Sequence, residues 1–239
     1  MRPLKQMKPR SVLALAALLL LSSVPARAEA ILAPFAQDPR PGWLQAFMLD
    51  PLANSVAVIL LVAMIITVIV VLFSFLRDAE FEEQLPEARK VIPVLAVVGM
   101  GIAVYMTIIE ITRSEAICGP VGDCNSVQQS PFAYLFGVFP VGLFGLLGYF
   151  AILGTWLVQR YGPQSLRRFA ALAVWGQALF GVLFSIYLTF LEPFVIGATC
   201  IWCISSAVVI TLLLWFSTPA ARAATHQPLD DETLEEITA

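Results

Sequence analysis

Five long apolar segments, separated by short polar segments, dominate the pattern along this chain. The first, at 54–76, contains no charged residue. Four more follow at 91–112, 140–158, 169–191 and 195–217. About 20 apolar residues suffice for a helix to cross a bilayer. The pattern therefore predicts an all-α polytopic membrane protein with five spans.

A shorter apolar run lies near the N-terminus, at 12–21. Four basic residues precede it, and Ala26-Arg27-Ala28 follows it. A basic region, a short apolar core and a small-x-small motif are typical of a secretory signal peptide. We therefore expect a signal peptide at 1–28, with an uncleaved anchor or cleavage after Ala30 as alternatives.

The polar segments predict the rest of the domain organisation. Residues 29–53 contain four prolines and are expected to form a periplasmic segment, with a short interfacial piece at 43–48. The charged residues at 77–90 predict a cytoplasmic connector, and residues 132–139 a short interfacial helix. The acidic residues at 218–239 predict a disordered cytoplasmic tail.

The composition agrees with a protein of the lipid bilayer. Apolar residues make up 59% of the 239 residues and charged residues 13%, against about 45–50% and about 25% in soluble domains. A net charge of -3 without a basic patch argues against nucleic-acid binding. The only histidine, His226, lies in the polar tail, which argues against histidine-dependent catalysis in the membrane.

The basic residues predict the orientation, because cytoplasmic loops are enriched in Lys and Arg. With the signal removed, the segments expected inside hold seven basic residues and those expected outside hold two. The inner residues are Arg77, Arg89, Lys90, Arg160, Arg167, Arg168 and Arg222, and the outer ones are Arg40 and Arg113. All four cysteines then lie at the outer face, in a compartment that permits disulfides.

Cys200-Ile-Trp-Cys203 forms a CxxC motif at the expected outer start of the fifth span. Residues i and i+3 share one face of a helix, so the two sulfurs can pair. The positive end of the helix dipole lowers the pKa of a nearby thiol. Thr199 is a candidate cap for this helix, and Gly197 is an alternative start.

Cys118 and Cys124 form a second pair, C-x5-C, in a Gly/Pro-containing loop that we expect to be mobile. A mobile pair beside a fixed pair suggests a thiol–disulfide relay. Three alternatives are two structural disulfides, a four-cysteine zinc site and buried unpaired thiols.

Four other residues have weaker candidate roles. Glu110 and Glu192 lie near outer span ends, where they can relay protons or simply contact water. Asp123 can oppose the thiolate of Cys124 or form a turn. Trp202 can pack on a ligand or belong to the interfacial aromatic belt.

With these motifs, the chain resembles the vitamin K epoxide reductase family, especially its bacterial quinone-reducing members. The shared features are the C-x5-C, the run Asn125–Ala133 that contains Ser130-Pro131-Phe132-Ala133, the segment Pro140–Tyr149, and the CxxC. They occur in this order across a core at 91–217.

The resemblance implies a four-helix-bundle core that binds a quinone, ubiquinone or menaquinone, near the outer face. It implies that Cys203 is nearest to the quinone and that Cys200 exchanges with a loop cysteine, Cys124. Cys118 and Cys124 would receive electrons from a thioredoxin-like partner. Ser130 matches a loop serine of the family and is a candidate substrate-binding residue, with a turn role as the alternative.

Three departures from the family refine these expectations. The chain ends about 20 residues after its last span, so a fused thioredoxin-like domain is not expected and the partner should be a separate periplasmic protein. One extra transmembrane helix, at 54–76, precedes the core. The Asn and Tyr that vertebrate members offer to vitamin K fall at Val141 and Ala207, which argues against epoxide reduction.

These observations predict a thiol:quinone oxidoreductase of the bacterial inner membrane that requires no metal. One alternative is a membrane scaffold or accessory protein whose disulfides are purely structural. Another is a reductase that uses the same cysteines towards a cofactor or maturation substrate. The sequence does not distinguish the direction of electron flow.

Overall fold

The computed structural model describes residues 42–76, 88–119, 122–135 and 137–226. The predicted signal peptide, most of the connector and residues 227–239 of the predicted tail lie outside the described residues. The described α-helices are α1 Trp43–Phe47, α2 Pro51–Leu76, α3 Ala88–Thr112, α4 Cys124–Gln128, α5 Val141–Tyr161, α6 Gln164–Leu191 and α7 Ile201–His226.

Five of these helices, α2, α3, α5, α6 and α7, are long and apolar enough to cross a membrane. Helix α2 has 26 residues, a length of about 39 Å, which exceeds the roughly 30 Å of bilayer hydrocarbon. Its outward-facing side chains, such as Ile59 and Ile69, are apolar and exposed, as a lipid-facing surface requires. The prediction of an all-α polytopic membrane protein is confirmed.

Helices α3, α5, α6 and α7 form a four-helix bundle in which each helix contacts two neighbours. The bundle buries a continuous apolar core that includes Ile152, Val182 and Leu213. Helix α2 packs outside the bundle against α6 and α7 and contributes Met64 to the same core. The additional N-terminal helix is therefore part of the folded unit.

The segment that precedes α5 differs from the prediction. Residues 132–139 are not an interfacial helix: a 3-10 turn, Pro131–Ala133, leads into a short antiparallel hairpin of β1, Tyr134–Leu135, and β2, Phe139–Pro140. Gly137 adopts a φ of 71° between the strands. A helix cannot accommodate this left-handed residue, so the chain turns back there.

The last span begins and ends later than predicted. A π-helical turn, Glu192–Ile196, ends at Gly197, whose φ of 80° breaks the helix, and α7 starts only at Ile201. Helix α7 then continues through Pro219 to His226, nine residues beyond the predicted end at 217. The hydroxyls of Ser217 and Thr218 donate to the Leu214 carbonyl in the turn that precedes this proline.

The basic residues and the cysteines lie at opposite ends of the bundle. The Arg168 guanidinium, at the start of α6, donates to the Ala224 carbonyl near the end of α7. The cysteines belong to the other end of the same two helices, because Cys200 follows α6 and precedes α7. The antiparallel packing thus separates the two groups by the length of a span.

Candidate functional site

Cys118 and Cys124 form a disulfide, with 5.9 Å between their Cα atoms. Cys124 is buried at the first residue of α4, whereas Cys118 is half-buried. The Asp123 carboxylate caps α4 by accepting the N–H groups of Asn125 and Ser126. Its bonds with the Ser126 hydroxyl and backbone lower the pKa of Asp123, so Asp123 has the turn role considered from the sequence.

The segment around this disulfide is anchored more firmly than the expected mobile loop. The Ile117 N–H donates to the Tyr105 hydroxyl at 2.8 Å, and the Ile117 carbonyl accepts from the Trp202 indole at 2.9 Å. The rings of Tyr105 and Trp202 are 4.5 Å apart. Two aromatic side chains from the bundle thus hold the residue that precedes Cys118.

Cys200 lies directly before α7, and its sulfur accepts the Cys203 N–H at 3.4 Å. The CxxC therefore caps its own helix. Thr199 is not the cap that the sequence suggested, because its hydroxyl donates to the Asn54 side chain. The Cys203 thiol and the N–H groups of Cys203 and Trp202 all donate to Cys200, which lowers the pKa of this thiol.

The fold brings all four cysteines into one apolar cluster. Cys124 and Cys200 are buried within it, and Cys118 and Cys203 pack against it. Cys200 and Cys203 are free thiols. One disulfide and one dithiol therefore share a small, water-poor volume, which is the arrangement that thiol–disulfide exchange needs.

Two polar side chains contact the CxxC sulfurs. The Gln128 amide lies 3.9 Å from the Cys200 sulfur and 3.7 Å from the Cys203 sulfur. The Glu192 carboxylate accepts the Cys200 N–H at 3.3 Å and lies within hydrogen-bonding reach of the Cys203 thiol. Both side chains are buried, so they act on the sulfurs with little competition from water.

An apolar pocket of about 840 Å³, including its open mouth, lies between the bundle helices next to the CxxC. Cys203 forms part of its wall, but Cys200 does not. An apolar wall with a few polar side chains is typical of small-molecule sites. The pocket gives a small apolar molecule access to one sulfur of the pair.

Both glutamates considered from the sequence line this pocket. Glu110 is 4% exposed and accepts the Gly142 N–H at 2.8 Å, and Glu192 is 2% exposed. The interpretation that they simply contact water at span ends is therefore wrong. Helix α3 ends beside the start of α5, so Glu110 faces inwards, where a Cβ at Gly142 would touch its carboxylate.

Ser130 also lines the pocket, and its hydroxyl donates to the Val127 carbonyl at 2.7 Å. This bond makes Ser130 a turn residue, and its oxygen still has a free lone pair for a ligand. Trp202, Val141 and Ala207 line the same pocket. Trp202 thus joins the pocket to the Cys118 segment.

A sequence model of the vitamin K epoxide reductase family matches residues 90–218, more than half of the chain. The chain belongs to this family. Its members are membrane thiol–disulfide oxidoreductases that use quinone and a thioredoxin-like redox partner. No curated protein matches the chain.

The pocket fits the quinone that the vitamin K epoxide reductase family uses. Its wall is mostly apolar, as a ring and an isoprenoid chain require, and its polar lining residues include Glu110, Glu192 and Gln128. The Oε1 atom of Gln128 is buried and has no hydrogen-bond partner among the described residues. A quinol hydroxyl is a suitable donor for it. The described residues contain no group of three His, Cys, Asp or Glu side chains that could hold a metal.

Two residues near the cysteines were not assigned roles from the sequence. Gln128 belongs to the run that resembles the family, but its contact with both CxxC sulfurs required the fold. Asn54 lies at the start of α2, outside the matched residues, and is buried against the segment before Cys200. The sequence did contain one signal for Asn54, because it is an amide at the edge of an apolar span. Polar groups at membrane depth usually have a hydrogen-bond partner.

Proposed function

We propose that this chain is a membrane thiol oxidase that oxidises a separate periplasmic thioredoxin-like protein and reduces quinone. The observation that carries the proposal is the position of the CxxC. Cys200 lies in the buried cluster with Cys124, and Cys203 lines the apolar pocket. The two cysteines of one motif therefore face the two reactants that a relay connects.

The first exchange takes place at the loop disulfide. A thiolate of the partner attacks Cys118, the more accessible sulfur, and Cys124 leaves as a thiolate. The second partner thiol then displaces Cys118, so the partner leaves as a disulfide and the loop holds a dithiol. Ile117, beside Cys118, is apolar and 79% exposed, which suits contact with a protein surface.

The second exchange moves the electron pair to the CxxC. The Cys124 thiolate attacks Cys200 of an oxidised Cys200–Cys203 pair, and Cys203 leaves. Cys118 then displaces Cys200 from Cys124, which restores the loop disulfide and completes the CxxC dithiol. An oxidised loop pair and free CxxC thiols, as observed, correspond to the state after this step.

Quinone is the two-electron acceptor. It takes two electrons and two protons from the Cys200–Cys203 dithiol and becomes quinol. Glu192 accepts the Cys203 proton, because its carboxylate is within reach of that thiol and of the pocket. Glu110, in the same wall, is a second carboxyl group that can exchange a proton with a molecule in the pocket. Gln128 stabilises the thiolates by donating to both sulfurs, and Ser130 offers its oxygen to the ring substituents.

Quinol formation by the purified protein tests this function. The protein in liposomes receives ubiquinone or menaquinone and a reduced thioredoxin-fold protein, and quinol is followed by absorbance. We expect one quinol for each partner disulfide formed, and Cys203→Ser should reduce the rate to background. If reduction unfolds the protein but no electrons reach quinone, the chain is a scaffold with structural disulfides.

We also propose that the chain lies in the bacterial inner membrane with all four cysteines on the periplasmic side. The support is the basic end of the bundle, opposite the cysteines, because basic residues favour the cytoplasm. After reduction, a membrane-impermeant thiol reagent should label Cys118 in intact spheroplasts. A variant that carries Gln164→Cys as its only cysteine should stay unlabelled until the cells are opened. The reverse result would place the cysteines in a reducing compartment.

A further inference from the structure

Asn54, at the start of α2, is fully buried and joins three parts of the chain. Its amide nitrogen donates to the Phe47 carbonyl at 3.0 Å and to the Gly197 carbonyl at 3.4 Å. Its amide oxygen accepts the Thr199 hydroxyl at 2.9 Å. One side chain thus holds both ends of the three-residue segment that leads into Cys200.

Asp50, four residues earlier, holds the other cysteine pair. One of its carboxylate oxygens accepts the Ala53 N–H at the start of α2, and the other accepts the Gly122 N–H at 3.2 Å. Gly122 lies two residues before Cys124. The same N-terminal segment therefore contacts the backbone beside each pair.

The two cysteine-bearing segments also touch one another directly. The Asp123 N–H donates to the Thr199 carbonyl at 3.0 Å, so the residue before Cys124 is bonded to the residue before Cys200. Gly122 approaches this carbonyl so closely that a Cβ would collide with it. Small shifts of either segment would break this contact and separate Cys124 from Cys200.

We propose that Asp50 and Asn54 are positioning residues that align the loop pair and the CxxC for exchange with one another. The inference rests on the proposed relay, in which Cys124 attacks Cys200. Both residues precede the family-matched region, 90–218. The N-terminal helix thus supplies part of the geometry that the core's relay uses.

The physical reason is the directionality of buried polar contacts. Apolar packing alone tolerates sliding, whereas a buried amide with its donors and acceptor satisfied specifies one arrangement. Thiol–disulfide exchange needs an in-line approach of three sulfurs, so a displacement of the order of 1 Å slows it greatly. Asn54 fixes the position of Thr199 by accepting its hydroxyl. Thr199 in turn fixes the position of Asp123, because its carbonyl accepts the Asp123 N–H.

The test measures the effective concentration of Cys124 towards Cys200. The double variant Cys118→Ser/Cys203→Ser retains only these two cysteines, and glutathione redox buffers report the equilibrium of the Cys124–Cys200 disulfide. We expect Asn54→Leu in this background to lower the effective concentration by about tenfold or more. Ser74→Ala, on the same helix but bonded only within it, is the matched control and should change nothing.

Thr199 provides a second, milder pair of variants. Thr199→Val removes the hydroxyl with little change of shape and should lower the effective concentration, whereas Thr199→Ser keeps the bond to Asn54 and should restore it. This pair keeps the proposal testable if Asn54→Leu does not fold. Values for Asn54→Leu or Thr199→Val within about threefold of the parent, or an equal loss in Ser74→Ala, would overturn the proposal.

The measurement separates this inference from the proposed function. It is made on folded protein without quinone, so a residue that only adds stability would leave the effective concentration unchanged. Failure of quinone reduction with a normal effective concentration would count against the oxidase and not against the alignment. If quinone reduction is normal but Asn54→Leu leaves the effective concentration unchanged, the result would count against the alignment and not against the oxidase.

Discussion

The two cysteine pairs are held in different ways, although they belong to one cluster. Cys200 and Cys203 are built into the start of a 26-residue span, where Cys200 caps the helix and Glu192 and Gln128 contact the pair. Cys118 and Cys124 lie between spans, on a short segment that single hydrogen bonds attach to its neighbours. Each pair thus has one buried sulfur, in Cys124 or Cys200, and one half-buried sulfur, in Cys118 or Cys203. The two pairs differ in what surrounds the half-buried sulfur.

This difference indicates which pair can meet which reactant. A folded protein reaches the half-exposed Cys118 but not the fully buried Cys200. A membrane-soluble molecule reaches Cys203 through the apolar pocket. This arrangement supports the proposal that the loop pair meets a protein and the CxxC meets a membrane-soluble molecule.

The largest expected effect separates the pairs by their electron donor. Cys203→Ala should abolish quinone reduction with any donor. Cys124→Ala should abolish it with a thioredoxin-fold protein but retain it with a small permeable dithiol, which needs no loop pair. Quinol formation with the two donors is the measurement, and Ser205→Ala on the same helix is the control. Normal turnover of Cys124→Ala with the protein donor would make the loop pair structural.

The next effect concerns Glu192 and Glu110, the two carboxylates that line the pocket. Glu192→Gln should lower turnover by about 10²–10⁴-fold, the usual contribution of one proton-transfer group, because it removes the acceptor nearest to Cys203. Glu110→Gln should have a smaller effect, since Glu110 contacts the Gly142 backbone instead of a sulfur. Equal turnover of the two variants would show that Glu192 is not the group that accepts the Cys203 proton.

A smaller effect is expected where the loop touches the CxxC segment. Gly122 has a φ of 89°, and a Cβ there collides with the Thr199 carbonyl. Gly122→Ala should therefore cost about 1–3 kcal/mol of stability and slow turnover with a protein donor. Gly119→Ala has open space around it and an ordinary φ, so it should match the parent protein. Thermal unfolding and partner-driven turnover measure both changes.

The smallest effect tests the cap of α4. Asp123→Ala should destabilise the protein by about 1 kcal/mol at neutral pH, whereas Asp123→Asn should keep the cap. Because the folded-state pKa of Asp123 is lowered, its stabilisation is present above the unfolded value of about pH 4 and is lost as the pH falls through the folded value. Thermal unfolding from neutral to acidic pH should show this loss in the parent but not in Asp123→Asn.

Much of the fold was predictable because a bilayer imposes a strong length requirement on apolar segments. All five spans were found, and α2 differs from its prediction by three residues at its start. The boundaries near the site were less accurate. Gly197 starts no helix, because its left-handed φ ends the preceding π-helical turn, and the hairpin at 134–140 contains no long periodic pattern that could have predicted it.

The candidate site was predictable only as far as chemistry follows from residue type. The close spacing within each cysteine pair indicates that its two sulfurs can form a disulfide, so both pairs were predicted from the sequence. The roles of Glu192, Gln128 and Asn54 depend on neighbours that are up to 145 residues away. No local pattern encodes the contacts of Gln128 and Asn54, because each requires two distant segments to be packed first. Glu192 is only eight residues from Cys200, but the π-helical turn and the left-handed Gly197 between them bring the two together.

The sequence by itself determined that the chain carries five apolar segments long enough to cross a membrane and that its reactive groups are two cysteine pairs, since apolar length and cysteine spacing are local properties. The tertiary structure decided that Cys124 and Cys200 share one cluster, that Cys203 faces a pocket, and that an N-terminal helix outside the family core reaches both pairs. Packing controls these features because the directional contacts of buried polar groups such as Asn54 form only after the apolar helices have assembled.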